Sequence, residues 1–150
     1  MKKGIFIVVF FLNLVNSAFS QELNIGDVLD TSLCNTVDAR RSMYTLRSTR
    51  NNNFLNQAWD QIMINTDPNR RILSIQYQKQ NVPEGVYNAV LNTFLDYTFN
   101  AGCSESATNI VNGILWMVVY NPQNFNGFCW AIADGWIVIT VNSDVRPFLP

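Results

Sequence analysis

The chain has 150 residues, of which 48% are hydrophobic and only 14% are charged, and its formal net charge is −1. It contains no histidine, which excludes histidine-based acid–base catalysis, Ser-His-Asp and Cys-His nucleophile systems, and histidine-rich zinc sites. We therefore expect a non-enzymatic protein without a metal or a cofactor.

The N-terminus has the order of segments that is typical of a secretory signal peptide. Lys2 and Lys3 precede an apolar run at 5–15, and the small-residue sequence NSAFSQE follows. The run is shorter than the roughly 20 residues that a membrane-spanning helix needs. We predict that 1–20 is the signal peptide, with cleavage after Ser20 or two residues earlier, and that the protein is secreted and not membrane-spanning.

The remaining residues, 21–150, are predicted to form a single extracellular domain. Loss of the two N-terminal lysines leaves 8 basic and 11 acidic residues, a net charge of −3. This balance gives no general attraction to nucleic acid or to an anionic membrane. The expected partner is an extracellular protein or a small apolar ligand.

Three cysteines lie in the secreted part, Cys34, Cys103 and Cys129. Because the secretory route is oxidising and three is an odd number, at most one intrachain bridge forms. The shorter loop favours Cys103–Cys129 and leaves Cys34 over, although sequence alone does not fix the connectivity. The leftover thiol is either buried or joins two chains into a homodimer.

Three helices are predicted from the spacing of apolar residues. The first covers 33–50, and the asparagines at 51–53 end it. The second covers 53–64. The third opens at Pro83, which suits the first turn of a helix, and ends at Gly102.

Strands are predicted in the remaining apolar segments. RRILSIQYQK at 70–79 alternates between apolar and polar residues, which indicates a half-buried strand. ILWMVVY at 114–120 is a short apolar run, typical of a buried strand. GFCWAIADGWIVITV at 127–141 forms a hairpin whose turn is Asp134-Gly135, so that Ala133 faces Trp136 across it.

The hairpin register gives two apolar faces. One carries Phe128, Trp130, Ile132, Ile137, Ile139 and Val141, and the other carries Cys129, Ala131, Ala133, Trp136, Val138 and Thr140. The first face must be covered by helices, and the second is either covered by a further helical layer or is a binding surface. A cavity or surface lined by Trp116, Trp130 and Trp136 would suit a small apolar ligand.

Scattered segments resemble the CAP superfamily of cysteine-rich secretory, antigen 5 and pathogenesis-related proteins. VDARRSMYTLRSTRNNNFLNQAWDQIM at 37–63 is similar to the opening of such domains. AVLNTFLDYTFNAGC at 89–103 and MVVYNPQNFNG at 117–127 are similar to later segments. The matching positions in the opening are Arg40 or Arg41, Asn53, Phe54, Trp59, Asp60 and Met63.

The resemblance implies an α-β-α sandwich, with about three helices packed on an antiparallel sheet of about four strands. It also implies a secreted, non-enzymatic binding or effector protein. The histidines that bind metal in that family are missing here, so no metal site is carried over. The alternatives are a lipid-carrying or membrane-active protein and a disulfide-linked extracellular structural component.

Overall fold

Eight strands form one antiparallel sheet in the computed structural model, which describes residues 23–50 and 52–150. The predicted signal peptide lies outside the described residues. One α-helix, α1, covers Glu84–Asn100. The strands are β1 Cys34–Asp38, β2 Met43–Leu46, β3 Gln61–Thr66, β4 Ile72–Lys79, β5 Glu105–Val111, β6 Ile114–Tyr120, β7 Gly127–Ala133 and β8 Trp136–Asn142. Short 3-10 turns occupy Thr31–Leu33, Phe54–Asn56 and Arg146–Phe148.

The sheet consists of two four-stranded meanders joined side by side. Its order is β1-β2-β3-β4-β8-β7-β6-β5, so that the last strands of the two meanders pair at the centre and β1 and β5 are the edges. The connection between the meanders is α1, which crosses one face of the sheet. We call this the helix face and the opposite one the tail face.

The main core lies between α1 and the helix face. Val90, Phe94 and Thr98 are the buried positions of the helix. The Phe94 ring lies 5.5 Å from Trp130 and 6.3 Å from Phe128, both on β7. Apolar side chains at every second position of β3, β4 and β8 complete this core. Strands β3 and β4 alternate because only one of their faces is covered.

The C-terminal segment 143–150 covers the tail face over the second meander. Val145 is fully buried there, and the Phe148 ring meets Trp116 edge-on at 5.2 Å. Trp116, Val118, Cys129 and Ala131 form the buried cluster beneath it. This face is therefore covered by the eight C-terminal residues and not by a second helical layer. The small side chains of Cys129 and Ala131 let this segment lie close to the sheet.

Several predictions from the sequence are confirmed. The hairpin has the predicted register, with Ala133 opposite Trp136 and Trp130 opposite Ile139. The strand at 114–120 has the predicted bounds. Strand β4 falls within 70–79, and α1 begins directly after Pro83. No helix among the described residues is long and apolar enough to cross a membrane.

The predicted α-β-α sandwich is wrong, because the described chain has eight strands and one α-helix instead of four strands and three helices. The predicted helix at 33–50 is the hairpin β1–β2, and the one at 53–64 is a 3-10 turn followed by β3. In β3, Ile62 and Ile64 are buried two positions apart. Because Met63 between them is also apolar, the sequence does not show the alternation of apolar and polar residues that indicates a strand.

The expected Cys103–Cys129 bridge is absent from the structure, and all three cysteines are free and buried. Cys103 belongs to the core of the helix face, whereas Cys129 belongs to the cluster of the tail face. The sheet itself separates the two thiols. Cys34, predicted to be left over, is only 4% exposed, so a bridge between two chains at this thiol would require the fold to open.

Candidate binding surface

The tail face over the first meander has no cover from any described helix or from the C-terminal segment. We call this half the amide surface, because side-chain amides and hydroxyls dominate it. It consists of Asn35, Met43, Thr45, Gln61, Met63, Asn65, Ser74, Gln76 and Gln78. All of them except the exposed Asn35 are half-buried.

The residues of the amide surface stand in rows that run across the strands. The first row crosses all four strands from β1 to β4. Its directly paired members are Asn35, Thr45, Met63 and Gln76. A second row contains Met43, Asn65 and Ser74, and a third contains Gln61 and Gln78. Strands are about 4.8 Å apart and alternate residues along a strand are about 7 Å apart, so the surface presents polar groups on a regular grid.

The amides at the centre of the surface use little of their hydrogen-bonding capacity on the protein. Gln76 and Gln78 donate through Nε2 to the Met63 thioether, at 3.9 and 3.6 Å. Sulfur is a weak acceptor, and each amide offers two N–H donors and two carbonyl lone pairs. Asn65 donates to Ser74 Oγ at 3.0 Å. The rows are thus ordered by their own contacts and still offer donors and acceptors.

No member of the amide surface is charged, and the nearest charges at its rim are already engaged. Asp38 pairs with Met43 at one corner, and its Oδ1 accepts from the backbone N–H groups of Arg40 and Arg41. Arg47 Nε donates to Asn35 Oδ1 at 3.2 Å. The surface therefore favours a neutral ligand that exchanges hydrogen bonds.

The structure does not bring the three predicted tryptophans onto one surface. Trp130 faces the helix and is 6% exposed, whereas Trp116 lies on the tail face beneath Phe148 and is 8% exposed. Trp136, at the start of β8, is half-buried on the tail face. Neighbouring strand positions point to opposite faces, which separates Trp130 from Trp116 and Trp136. The three tryptophans therefore do not line one common surface, and Trp116 and Trp136 alone share a face of the sheet.

The three thiols are placed where they resist ionisation. Burial raises the pKa of Cys34 and of Cys103 above the ordinary value, and it raises that of Cys129 to about 12. The thiolate is the reactive form of cysteine, so none of them suits a nucleophile. Among the residues that the structure describes, no group of three acidic, cysteine or histidine side chains could hold a metal ion.

A small cleft lies at the end of the sheet where β6 turns into β7. It has a volume of about 230 Å³ and is lined by Ile25, Ala101, Cys103, Asn121, Asn124, Asn126, Gly127, Phe128, Val141 and Asn142. Ligand pockets usually enclose about 300–1,000 Å³. Two of the rim amides, Asn121 and Asn124, accept backbone N–H groups of their own loop, which shows a role in the turn.

Three of the nine residues of the amide surface were visible in the sequence as one side of a strand. The alternation at 70–79 correctly predicts that Ser74, Gln76 and Gln78 share the polar side of a strand. The matching residues on β3 were missed, because Gln61 and Met63 were assigned to a helix at 53–64 and Asn65 to no element. An uncharged run of asparagine, glutamine and threonine on adjacent short strands is the signal that would have found it.

A scan against protein-family models finds no match for this chain, and searches of the curated proteins and of the solved structures find no significant match either. The resemblance to the CAP superfamily therefore stays a prediction, and the sandwich that it implied is wrong. The segment at 37–63, which carries most of that resemblance, forms three strands and a turn.

Proposed function

We propose that this chain is a secreted, non-enzymatic binding protein whose amide surface binds a neutral polysaccharide. The observation that carries the proposal is an uncovered, ordered half of a sheet face that contains amides, hydroxyls and thioethers and no charge. The proposal does not depend on the CAP resemblance.

The chemistry of the surface selects the class of ligand by exclusion. A charged ligand would lose hydration against a surface that holds no counter-charge, which costs several kcal/mol. An apolar ligand would cover amides and leave them unpaired, at about 1–3 kcal/mol for each group. A neutral polyhydroxylated ligand supplies both donors and acceptors, and the Met43 and Met63 side chains offer apolar contact for its C–H groups.

The regular spacing of the rows favours a polymer over a single sugar. Each of the three rows carries an amide on β3 or β4, and two of the rows also carry a hydroxyl. A repeating chain can contact several rows at once, and each contact after the first gains from the high effective concentration of a linked ligand. We therefore expect monosaccharides to compete poorly.

The test is a depletion assay with the protein recovered from the medium of a eukaryotic host. Insoluble cellulose, chitin and β-1,3-glucan serve as neutral probes, and immobilised heparin serves as the anionic probe. We expect binding to at least one neutral polysaccharide and none to heparin. Binding should change little with ionic strength, because salt screens charge pairs and the surface contributes none.

The paired variant Q76E/Q78E keeps the shape of both side chains and places two carboxylates at the centre of the surface. We expect it to lose most of the binding. The matched control is Q57E/Q123E, which makes the same chemical change away from the surface and should bind as the original chain does. Absence of binding to every neutral probe, or equal binding by both variants with unchanged thermal unfolding, would refute the proposal.

A further inference from the structure

Two pairs of adjacent basic residues lie in the described chain, and the fold treats them differently. Arg40-Arg41 lies in the turn 39–42 between β1 and β2, whereas Arg70-Arg71 lies between β3 and β4. Endoproteases that process proteins on the secretory route cleave after such pairs, which they hold in acidic pockets through charge-assisted hydrogen bonds. Burial and backbone hydrogen bonding decide which of the two pairs such an enzyme can reach.

The turn that carries the first pair is presented to solvent. Ala39, Arg40 and Arg41 are all exposed, and the Arg41 side chain keeps 79% of its surface accessible. Arg41 Nε lies 3.7 Å from Asp38 Oδ2, and an exposed ion pair of this length holds a side chain weakly. Arg40 forms no ion pair with any described residue. Both guanidinium groups are therefore available to the acidic pockets of a protease.

Few bonds hold this turn in its conformation. Asp38 Oδ1 accepts the backbone N–H groups of Arg40 and Arg41 at 2.9 and 3.2 Å. Ser42 contributes a long bond of 3.4 Å within the turn, and its carbonyl accepts from Thr66 N–H at 3.1 Å. No side chain of the turn belongs to either buried cluster. Opening of the turn therefore exposes no part of the core.

The strand before the turn is suited to local opening. In the described chain, β1 is an edge strand of five residues that pairs only with β2. Its register shifts between Thr36 and Asp38, which leaves Val37 as an unpaired bulge that is 54% exposed. A bulge disrupts the ladder of backbone bonds, and segments with few buried contacts open at low free energy. A protease that needs an extended segment can obtain one here by local opening at 37–43.

The second pair is exposed too, but its backbone is bonded to neighbours on both sides. Leu29 N–H donates to the Arg70 carbonyl at 2.8 Å. Asp67 accepts the Arg71 N–H through Oδ1 and donates its own N–H to the Arg71 carbonyl, both at 2.9 Å. The Arg71 guanidinium donates to the Gly26 carbonyl at 3.2 Å. Opening at this pair would break all of these bonds and detach the segment before β1 from the sheet.

The peptide bonds that follow the two pairs differ in the same direction. Arg41 is followed by Ser42, a small residue at the edge of the turn. Arg71 is followed by Ile72, which is fully buried and forms two backbone bonds of 2.9 Å to the segment before β1. A protease that cleaved after Arg71 would have to pull this side chain out of the core.

We infer that the Arg41–Ser42 peptide bond is a processing site for an endoprotease specific for paired basic residues, and that the Arg71–Ile72 bond is not. The reaction is hydrolysis. Water adds across the bond, the C–N bond breaks, and the products are a carboxylate on Arg41 and an amino group on Ser42. The inference rests on the exposure and bonding of the two basic pairs and does not require the proposed function.

The cleaved protein should remain one particle. The fragment that ends at Arg41 buries Leu23, Leu29 and Cys34 in the main core. Its backbone is also bonded to the rest of the chain, since the Cys34 carbonyl accepts from Arg47 Nε at 3.1 Å. All three cysteines are free, so no disulfide links the two fragments. They should therefore stay together under native conditions and separate on denaturation.

The test is incubation of the native secreted protein with a subtilisin-like endoprotease that is specific for paired basic residues. Intact-mass spectrometry under denaturing conditions should show one cut, after Arg41, while both fragments elute together from native size exclusion. Arg41→Gln should abolish this cut, and the matched control Arg71→Gln should leave it unchanged. The cut after Arg71, measured in Arg41→Gln protein, should be at least roughly a hundredfold slower.

Substitutions of Asp38 test whether opening of the turn limits the cleavage. Asp38→Ala removes the charge and both accepted bonds, whereas Asp38→Asn removes the charge and keeps an acceptor. When opening and closing are faster than cleavage, the rate follows the population of the open form. We therefore expect the Asp38→Ala protein to be cleaved roughly tenfold faster than the Asp38→Asn protein.

Four results would each overturn the inference. They are no cut after Arg41, a cut after Arg71 at a similar rate, fragments that separate in native buffer, and equal rates for the two variants of Asp38. None of these results depends on the polysaccharide assay, so the inference and the proposed function fail or hold separately.

Discussion

The Phe54 ring stacks on the Tyr77 ring, with centroids 4.2 Å apart and 22° between the planes. This pair fixes the 3-10 turn Phe54–Asn56 over β4. Trp59 Nε1 donates to the Phe54 carbonyl at 2.8 Å, and Tyr97 of α1 meets Phe54 edge-on at 5.2 Å. Leu55, buried in the same turn, has a φ of 55°, which is unfavourable for a side chain with a Cβ. Packing holds the turn in this conformation.

A double-mutant cycle with Phe54→Leu and Tyr77→Leu should reveal the stacking as a coupling free energy of about 0.5–1.5 kcal/mol, the range for aromatic pairs beyond buried area. The measurement is urea unfolding of the four chains. The control cycle pairs Phe54→Leu with Phe148→Leu, on opposite faces of the sheet, and should be additive. Equal coupling in both cycles would contradict a direct contact.

Gly127 is required by the close approach of β6 and β7. A Cβ at this position would lie 2.5 Å from the Val119 carbonyl oxygen and 2.7 Å from Tyr120 Cβ. Neither atom can move without shifting the strand, so Gly127→Ala should lower the free energy of unfolding by about 1–3 kcal/mol, as overpacking does.

The matched control is Gly85→Ala in the first turn of α1, where an added Cβ meets no atom within 4 Å. Alanine is the better helix former, so this change should raise stability by about 0.5–1 kcal/mol. Thermal or urea unfolding of both variants measures these two changes in stability. A Gly127→Ala protein as stable as the Gly85→Ala protein would contradict the close approach.

Three strands of the second meander, β6, β7 and β8, were predictable from sequence because their signals are local and strong, whereas β5 was missed. An Asp-Gly turn between two long apolar runs fixes the register of β7 and β8 without knowledge of the rest of the fold. Helix α1 was likewise marked by proline at its start, glycine at its end and a stripe that includes Val90 and Phe94.

Strands β1–β3 of the first meander were missed because they are short and half polar. In β2, only Tyr44 and Leu46 carry the helix-face pattern, and Met43 on the other face is apolar too. Two apolar residues do not define a period, so the spacing from Leu33 to Tyr44 fitted a helix by coincidence. The chain forms strands here because it pairs with β3 and β4, and the sequence alone does not show this pairing. The amide surface depends on the same pairing.

The C-terminal segment stabilises the second meander by covering Trp116. Phe148 packs edge-on against this ring, and the Leu149 carbonyl accepts from Asn109 Nδ2 at 2.9 Å. Phe148→Ala should lower the free energy of unfolding by about 2–4 kcal/mol, since a large aromatic side chain in an apolar cluster is lost. Urea unfolding measures this loss.

Tryptophan emission should shift to longer wavelength in the folded Phe148→Ala protein, because Trp116 gains contact with water. The control is Phe99→Ala, which removes an aromatic side chain that is 78% exposed. In dilute protein it should change neither stability nor emission by a comparable amount. Identical effects of the two substitutions would contradict the covering role of the segment.

The buried thiols give the fold a specific sensitivity to alkaline pH. The pKa of Cys129 rises from 9.0 to about 12 on folding because burial disfavours the thiolate. Because the pKa is raised in the folded chain, the contribution of the Cys129 thiol to the free energy of unfolding is fully present below about pH 9. This contribution is lost as the pH rises from about 9 towards 12, since only the thiol of the unfolded chain ionises there. In the native protein at about pH 8, all three thiols should resist a thiol reagent and react after denaturation.

Cys129→Ala should flatten the decline in stability above pH 9 relative to the original chain. The comparison is urea unfolding at about pH 8 and about pH 10, with both proteins measured at each pH so that other titrations cancel. Cys34→Ala is the control: burial and the Asp30 carboxylate raise the pKa of Cys34 and the Arg47 guanidinium opposes them, without the large shift of Cys129. If the two variants follow the same alkaline profile as the original chain, burial of the Cys129 thiol does not govern this dependence.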